Sequence, residues 1–202
     1  MNKPIIVPKG DKTVELNLEC CNWPKDFPYK PEVTTTLWHD SQNLYIKYNV
    51  VEDYVAAKAT ADNGEVWKDS CVEFFIAFDN DGYYNIESNC GGKILLSHRK
   101  ARKENVEYAP KEILDAIKRE PSLGDKPFEC RKSDGPWSMT LKIPVSTFFK
   151  HKIKNFDGLQ ARCNIYKCGD DLPVAHFISH FPIKTENPDF HCPGYFGPII
   201  FE

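Results

Sequence analysis

The segment VWKDSCVEFFIAFDNDGYYNIESN, Val66 to Asn89, reads as one β-hairpin with an apolar face and a polar face. From Cys71 the residues alternate: Val72, Phe74, Ile76 and Phe78 point one way, Cys71, Glu73, Phe75 and Ala77 the other. The first set belongs to a core. Asn80-Asp81-Gly82 suits a three-residue loop, a type I turn closed by a glycine in the left-handed region. That loop pairs Asp79 with Tyr83, sets Phe75 opposite Glu87, and sets Glu73 opposite Asn89. A two-residue loop would bring Asn85 and Glu87 beside Phe74 and Phe78, so the hydrophobic pattern decides the register. Glu73, Asn85, Glu87 and Asn89 then share a face, expected to be exposed.

Working outward, more strands follow on both sides. Thr13 to Cys20, Val33 to Trp38, Leu44 to Val51, Lys93 to Ser97, Pro136 to Ile143, Leu159 to Tyr166, Val174 to His180 and Phe196 to Phe201 carry period-two or β-rich character between Pro, Gly, Asn and Asp. Leu44, Ile46, Tyr48 and Val50 are expected inward. On the strand after Leu159, Gln160, Arg162, Asn164 and Tyr166 form an outward set. Only Pro110 to Glu120 breaks the pattern: Ile113, Leu114 and Ile117 have helical spacing in a charged stretch. The fold class expected is all-β, an antiparallel β-sandwich of jelly-roll type with one short helical excursion. Residues 1–202 are expected to form a single domain, long enough to bury a core without staples.

Composition excludes several classes of partner. A formal charge of −3 with 27% charged residues implies no net basic surface, so nucleic acid is not expected. Arg99, Lys100, Arg102 and Lys103 form the one basic run, read as a solvated loop. Nothing approaches the roughly 18 uninterrupted apolar residues of a membrane span, and MNKPIIVPKGD lacks an apolar signal core. A cytoplasmic location is therefore expected for the chain as given, and a secreted one if a leader was removed.

Eight cysteines show no CxxC pair, and zinc sites usually draw on close-spaced ligand pairs. No metal is expected at them, and several fall on core faces, where free cysteine behaves as a small hydrophobe. A reducing compartment fits. Asp53, Asp79 and Asp81 are candidates for a structural calcium ion, although FDNDG is first a turn. No other cofactor is expected.

Neighbouring carboxylates and amides on one sheet face, with Trp67 just before the strand, match what a sugar demands. Hydroxyl groups take paired hydrogen bonds from such side chains, and the C–H face of a sugar ring stacks on indole. A plain reading competes: antiparallel sheets often carry a solvated polar face without function. An enzymatic reading makes Glu73 and Glu87 the acid and nucleophile of a small glycoside hydrolase, but this register places Glu87 diagonally from Glu73. A third reading is a protein-interaction sandwich.

Several segments together resemble the carbohydrate-binding module family 9-like domains. They are Trp67 to Ile76, Trp137 to Pro144 with Phe148, Arg162-Cys163-Asn164, and the tail HFISHFPIKTENPDFHCPGYFGPIIFE. The tryptophan six residues before the strand glutamate and the closing Pro-x-x-Phe-Gly element occur together. The resemblance implies a β-sandwich that binds the ends of sugar chains, or a mono- or oligosaccharide, without cutting them. It also implies a role accessory to polysaccharide breakdown, since such modules are often attached to glycoside hydrolases. Family members hold a sugar between two aromatic rings. Trp67 matches the first ring, Glu73 the strand carboxylate, and Phe190 falls where a second tryptophan is usual. Asn85 falls at or near the place of an arginine on the returning strand. The carbohydrate-binding residues expected are thus Trp67, Glu73, Asn85, Asn89, Arg162 and Phe190. Phe190 also lies in an apolar tail and can pack inward; His180 and His191 are read as structural.

Overall fold

The computed structural model describes residues 2–202. Two sheets face one another. The larger runs in the order β1 (Ile5–Val7), β16 (Gly197–Phe201), β14 (Gln160–Cys168), β7 (Cys71–Ala77), β8 (Tyr83–Asn89), β9 (Ile94–Arg99) and β10 (Glu107–Tyr108). On the same edge of β14 as β16, its last residues pair with β15 (Phe177–Ser179), and β15 pairs in turn with β3 (Cys20–Cys21). The second sheet runs β11 (Lys118–Pro121), β13 (Trp137–Pro144), β5 (Asn43–Val51), β4 (Glu32–His39) and β2 (Val14–Asn17). A ribbon of β12 (Phe128–Lys132) and β6 (Tyr54–Ala57) lies beside them. Every pairing between these strands is antiparallel except that of β1 with β16, which is parallel. The expected all-β sandwich is the observed architecture.

The core between the sheets follows the alternation in the sequence. Val72, Phe74 and Ile76 of β7 are fully buried, as are Leu44, Ile46, Tyr48 and Val50 of β5. Trp137, Met139, Leu141 and Ile143 do the same on β13, whose intervening residues stay partly exposed. The Trp137 indole N–H donates to Glu52 Oε1 at 2.7 Å, which satisfies a group that could not be buried alone. Glu52 in turn pairs with Lys167 Nζ at 2.8 Å, with both side chains fully buried.

Three expectations need correction. The helix α1 covers only Lys111–Ala116, because Lys118 to Glu120, expected in the same helical stretch, pair with β13 instead. The hairpin loop spans Phe78 to Gly82, so Glu73 faces Glu87 and Phe75 faces Asn85. The shift is by two residues and therefore leaves the faces unchanged. Asp79 is held outside the ladder: its carboxylate accepts from Asp81 N at 2.8 Å and bonds His151 Nε2 at 2.8 Å. Gly82 does not adopt positive φ; a Cβ there would lie 2.8 Å from the Arg99 carbonyl oxygen, so crowding explains the glycine.

The third correction concerns the polar face. All residues of β7 and β8 are buried on both sides. A second apolar cluster covers the outer face, with Phe75, Tyr83 and Tyr166 from the sheet roofed by Trp23, Ile183, Phe190 and Phe196 from loops. Asn164 illustrates the consequence: its amide donates to Phe181 O at 3.0 Å and its carbonyl accepts from Phe181 N at 2.9 Å, fastening the roof to the sheet. Gly197 permits the same closure, since a Cβ would stand 2.4 Å from the Phe181 ring.

Candidate functional site

The roof is incomplete. Between it and the outer face of β7, β8 and β9 lies a cavity of about 290 Å³, walled by Glu73, Glu87, Leu95, Arg99, Cys168 and Asp170, with Trp67, Tyr108, Phe177 and residues 188–191 around it. Trp67, Glu73 and Phe190, expected to act together, do line one space.

Trp67 sits on a single 3-10 turn, Val66–Lys68. Val66 is fully buried and anchors the turn, leaving the indole half-buried beside the cavity. The Trp67 carbonyl accepts from Asp170 N at 3.2 Å, and the Lys68 carbonyl from Asp171 N at 3.2 Å, so the turn is tied to the loop after β14. Asp69 fixes it from the other side, accepting from Ala59 N at 3.0 Å and from Asn89 Nδ2 at 2.9 Å. Asn89 does not line the cavity; its Oδ1 accepts from Gly91 N and Lys93 N, so it closes the β8–β9 turn and braces the Trp67 turn.

Glu73 and Glu87 project side by side from β7 and β8. Glu73 is 3% exposed and Glu87 4%. Glu73 Oε1 accepts only a thiol hydrogen bond, from Cys168 Sγ at 3.0 Å. Burial, with Glu87 beside it, holds Glu73 well above the usual carboxylate range. Burial likewise raises Glu87, against the opposing pull of its Asn85 hydrogen bond and of Arg99. Asp170 is pushed up to about 6, chiefly by burial.

Asn85 acts through Glu87. Its Nδ2 donates to Glu87 Oε1 at 2.8 Å, and its Oδ1 accepts from Ser97 Oγ at 2.6 Å. Ser97 Oγ accepts from Arg99 Nε and Nη2 at 2.8 and 2.6 Å. A relay therefore runs from a guanidinium to a carboxylate through two neutral groups, and each member is held by the next. Arg99 is buried, and Arg102 and Lys103 border the cavity, so three of the four basic residues read as a solvated loop belong to this site.

Phe190 packs its ring on Tyr166 with centroids 4.2 Å apart and planes 9° from parallel, and it lies 6.2 Å from Trp23. It is both a roof residue and a wall of the cavity. Arg162 lies elsewhere: its guanidinium donates to the carbonyls of Pro193 and Asp79 at 3.2 and 3.3 Å and does not line the cavity. Asp53, Asp79 and Asp81 do not converge into a set of cation donors. His191 lines the cavity and bonds Tyr83 OH through Nδ1 at 2.9 Å; burial and the nearby Arg99 and Arg102 push it down to about 3, so the ring is neutral.

Sequence reasoning missed Arg99, Tyr108, Asp170 and Phe177 at this site. Arg99 was within reach, since Leu95, Ser97 and Arg99 continue the period-two pattern beyond Ser97, where the strand was expected to end. The others come from short or irregular segments.

A putative carbohydrate-binding protein from Bacteroides uniformis is similar in structure over 99% of both chains, with 39% identity and a TM-score of 0.93. A carbohydrate binding module family 9 from Caldicellulosiruptor kristjanssonii, solved with glucose, matches over 99% of this chain and 96% of its own, with 15% identity and a TM-score of 0.59. Its complex with cellotriose gives 15% identity and 0.57 over 99% and 94% of the two chains. These last two likenesses show the fold. A search of curated proteins found no match. The family model described as carbohydrate-binding family 9 matches residues 4–201, almost the whole length, and the chain therefore belongs to that family of non-catalytic carbohydrate-binding modules.

Proposed function

We propose that the cavity beside Trp67 is the sugar site and that it takes a small saccharide or the end of a sugar chain. The carrying observation is convergence: Trp67, Glu73, Glu87, Arg99 and Phe190, scattered over the chain, meet at one cavity of about 290 Å³. That volume lies at the small end of ligand pockets, which favours an end or a short saccharide over the middle of a polymer. Trp67 offers a ring face for stacking, and Tyr108, 53% exposed, offers another at the mouth. Glu73 and Glu87 supply acceptors for hydroxyl groups, with Asn85, Ser97 and Arg99 keeping Glu87 in place. Glucose and cellotriose in the Caldicellulosiruptor kristjanssonii structures support a gluco-configured ligand.

The carboxylate pair is not read as a hydrolytic dyad, because the chain belongs to a family of non-catalytic carbohydrate-binding modules. Calorimetric titration with a panel of mono- and oligosaccharides, run beside Trp67→Ala and with products checked, tests the reading. The expected result is binding of intact sugar that falls at least about tenfold in Trp67→Ala. Unchanged binding in that variant, or no binding across the panel, would overturn it.

A further inference from the structure

Glu73 raises a second question. A carboxylate with 3% exposure is ordinarily met by strong N–H or O–H donors, yet its one protein partner is the thiol of Cys168, a weak donor. Directly across the ladder from Cys168 stands Cys71, fully buried on the same face. The two sulfur atoms and a Glu73 oxygen all lie within 4.8 Å of one another. Among the described residues this is the only convergent set of three or more histidine, cysteine or acidic donors.

We propose that Cys71, Cys168 and Glu73 form a binding site for a thiolate-seeking divalent metal ion such as zinc. Neighbouring ligands of tetrahedral zinc are about 3.3–3.8 Å apart, given Zn–S of about 2.3 Å and Zn–O of about 2.0–2.2 Å, so adjustments of about 1 Å bring the three donors onto one ion. Sulfur donors select against calcium and magnesium. Glu73 and Cys168 both line the cavity, so the fourth coordination position opens toward it and takes water. Binding releases one proton from each thiol and the proton that burial keeps on Glu73, and the set becomes two thiolates and a carboxylate around a dication. The resulting excess of one negative charge faces a cavity that Arg99, Arg102 and Lys103 also line.

Only the spacing hid the site. Cys71 and Cys168 are far apart in sequence and no CxxC motif announces them, but the β7–β14 register makes them neighbours.

The test uses reduced, metal-free protein and the metal alone, so it stands whether or not a sugar binds. Zinc is titrated against a chromophoric chelator, and cadmium is followed by its thiolate-to-metal charge-transfer absorption. One equivalent is expected to bind with the thiolate band. Cys71→Ser and Cys168→Ser should each weaken zinc binding by at least about 100-fold, while the Cys20→Ser, Cys21→Ser double variant keeps it. Zinc X-ray absorption on loaded wild-type protein avoids dependence on any variant's folding and should show sulfur together with oxygen neighbours. Absence of the band, its survival in both single serine variants, its loss in the Cys20, Cys21 variant, or a coordination shell without sulfur would overturn the proposal.

Discussion

Glu73 and Glu87 stand directly opposite one another across β7 and β8, and protein covers both. The folded state keeps their protons to higher pH than the unfolded chain does. Burial pushes Glu87 up to about 7 in the folded state, against an ordinary 4.5. Between those values the unfolded chain has released protons that the folded chain still holds, so stability falls as pH rises through the window, and Glu73, also held well above its ordinary range, adds to the fall. Glu87→Gln keeps an acceptor for Asn85 and removes the titration. It is expected to be more stable than wild type at pH 8 by about 1–3 kcal/mol, with the gap closing toward pH 5. Urea unfolding at the two pH values checks this; a gap independent of pH would contradict it.

Ser97 is the hinge of the relay between Arg99 and Glu87. Removing its hydroxyl leaves Asn85 Oδ1 and two guanidinium N–H groups without partners in a buried place. Ser97→Ala should cost about 1–3 kcal/mol of stability and weaken sugar binding about tenfold. Melting and calorimetry on the same preparation separate the two effects.

Phe190 and Trp67 should behave differently although both line the cavity. Phe190 is packed on Tyr166 and near Trp23 and Phe177, so Phe190→Ala removes roof as well as wall. It is expected to lose about 3 kcal/mol of stability along with binding. Trp67→Ala, on a turn anchored by Val66, should lose binding with less than about 1 kcal/mol of destabilisation. Chemical denaturation of both variants distinguishes them.

Lys167 and Glu52 form a buried ion pair, with His176 Nε2 2.7 Å from the ammonium. Lys167→Met strands the Glu52 charge and should cost about 3–5 kcal/mol, whereas adding Glu52→Gln should restore much of that. A double-mutant cycle in urea measures the coupling.

How far the chain could be read in advance depended on periodicity. The alternations at 44–50, 72–76 and 137–143 each have one apolar face, so strand and inward face were both legible. The hairpin register was two residues off because Asp79 is held by His151, far away in sequence, and no local pattern carries that information. Asn85, Asn89 and Asn164 looked like solvated residues of a polar face. They are internal connectors: Asn164 fastens Phe181, Asn89 braces Asp69 of the Trp67 turn, and Asn85 holds Glu87 and Ser97, and the irregular segments carrying Phe181 and Asp69 give no periodic sign of where they lie. Trp67, Glu73 and Phe190 were legible as a group through family resemblance, while Arg99 was obscured by the strand being ended too early. β12 escaped notice because four of its five residues are exposed and its sequence is polar.

The parallel pairing of Ile5–Val7 with Ile199–Phe201 determines how the domain carries mechanical load. Tension applied at residue 4 and residue 202 pulls these two strands in opposite directions along their length, so their hydrogen bonds are sheared together rather than opened one after another. A sugar held at the cavity would thus be anchored to a body whose outermost seam resists being unzipped.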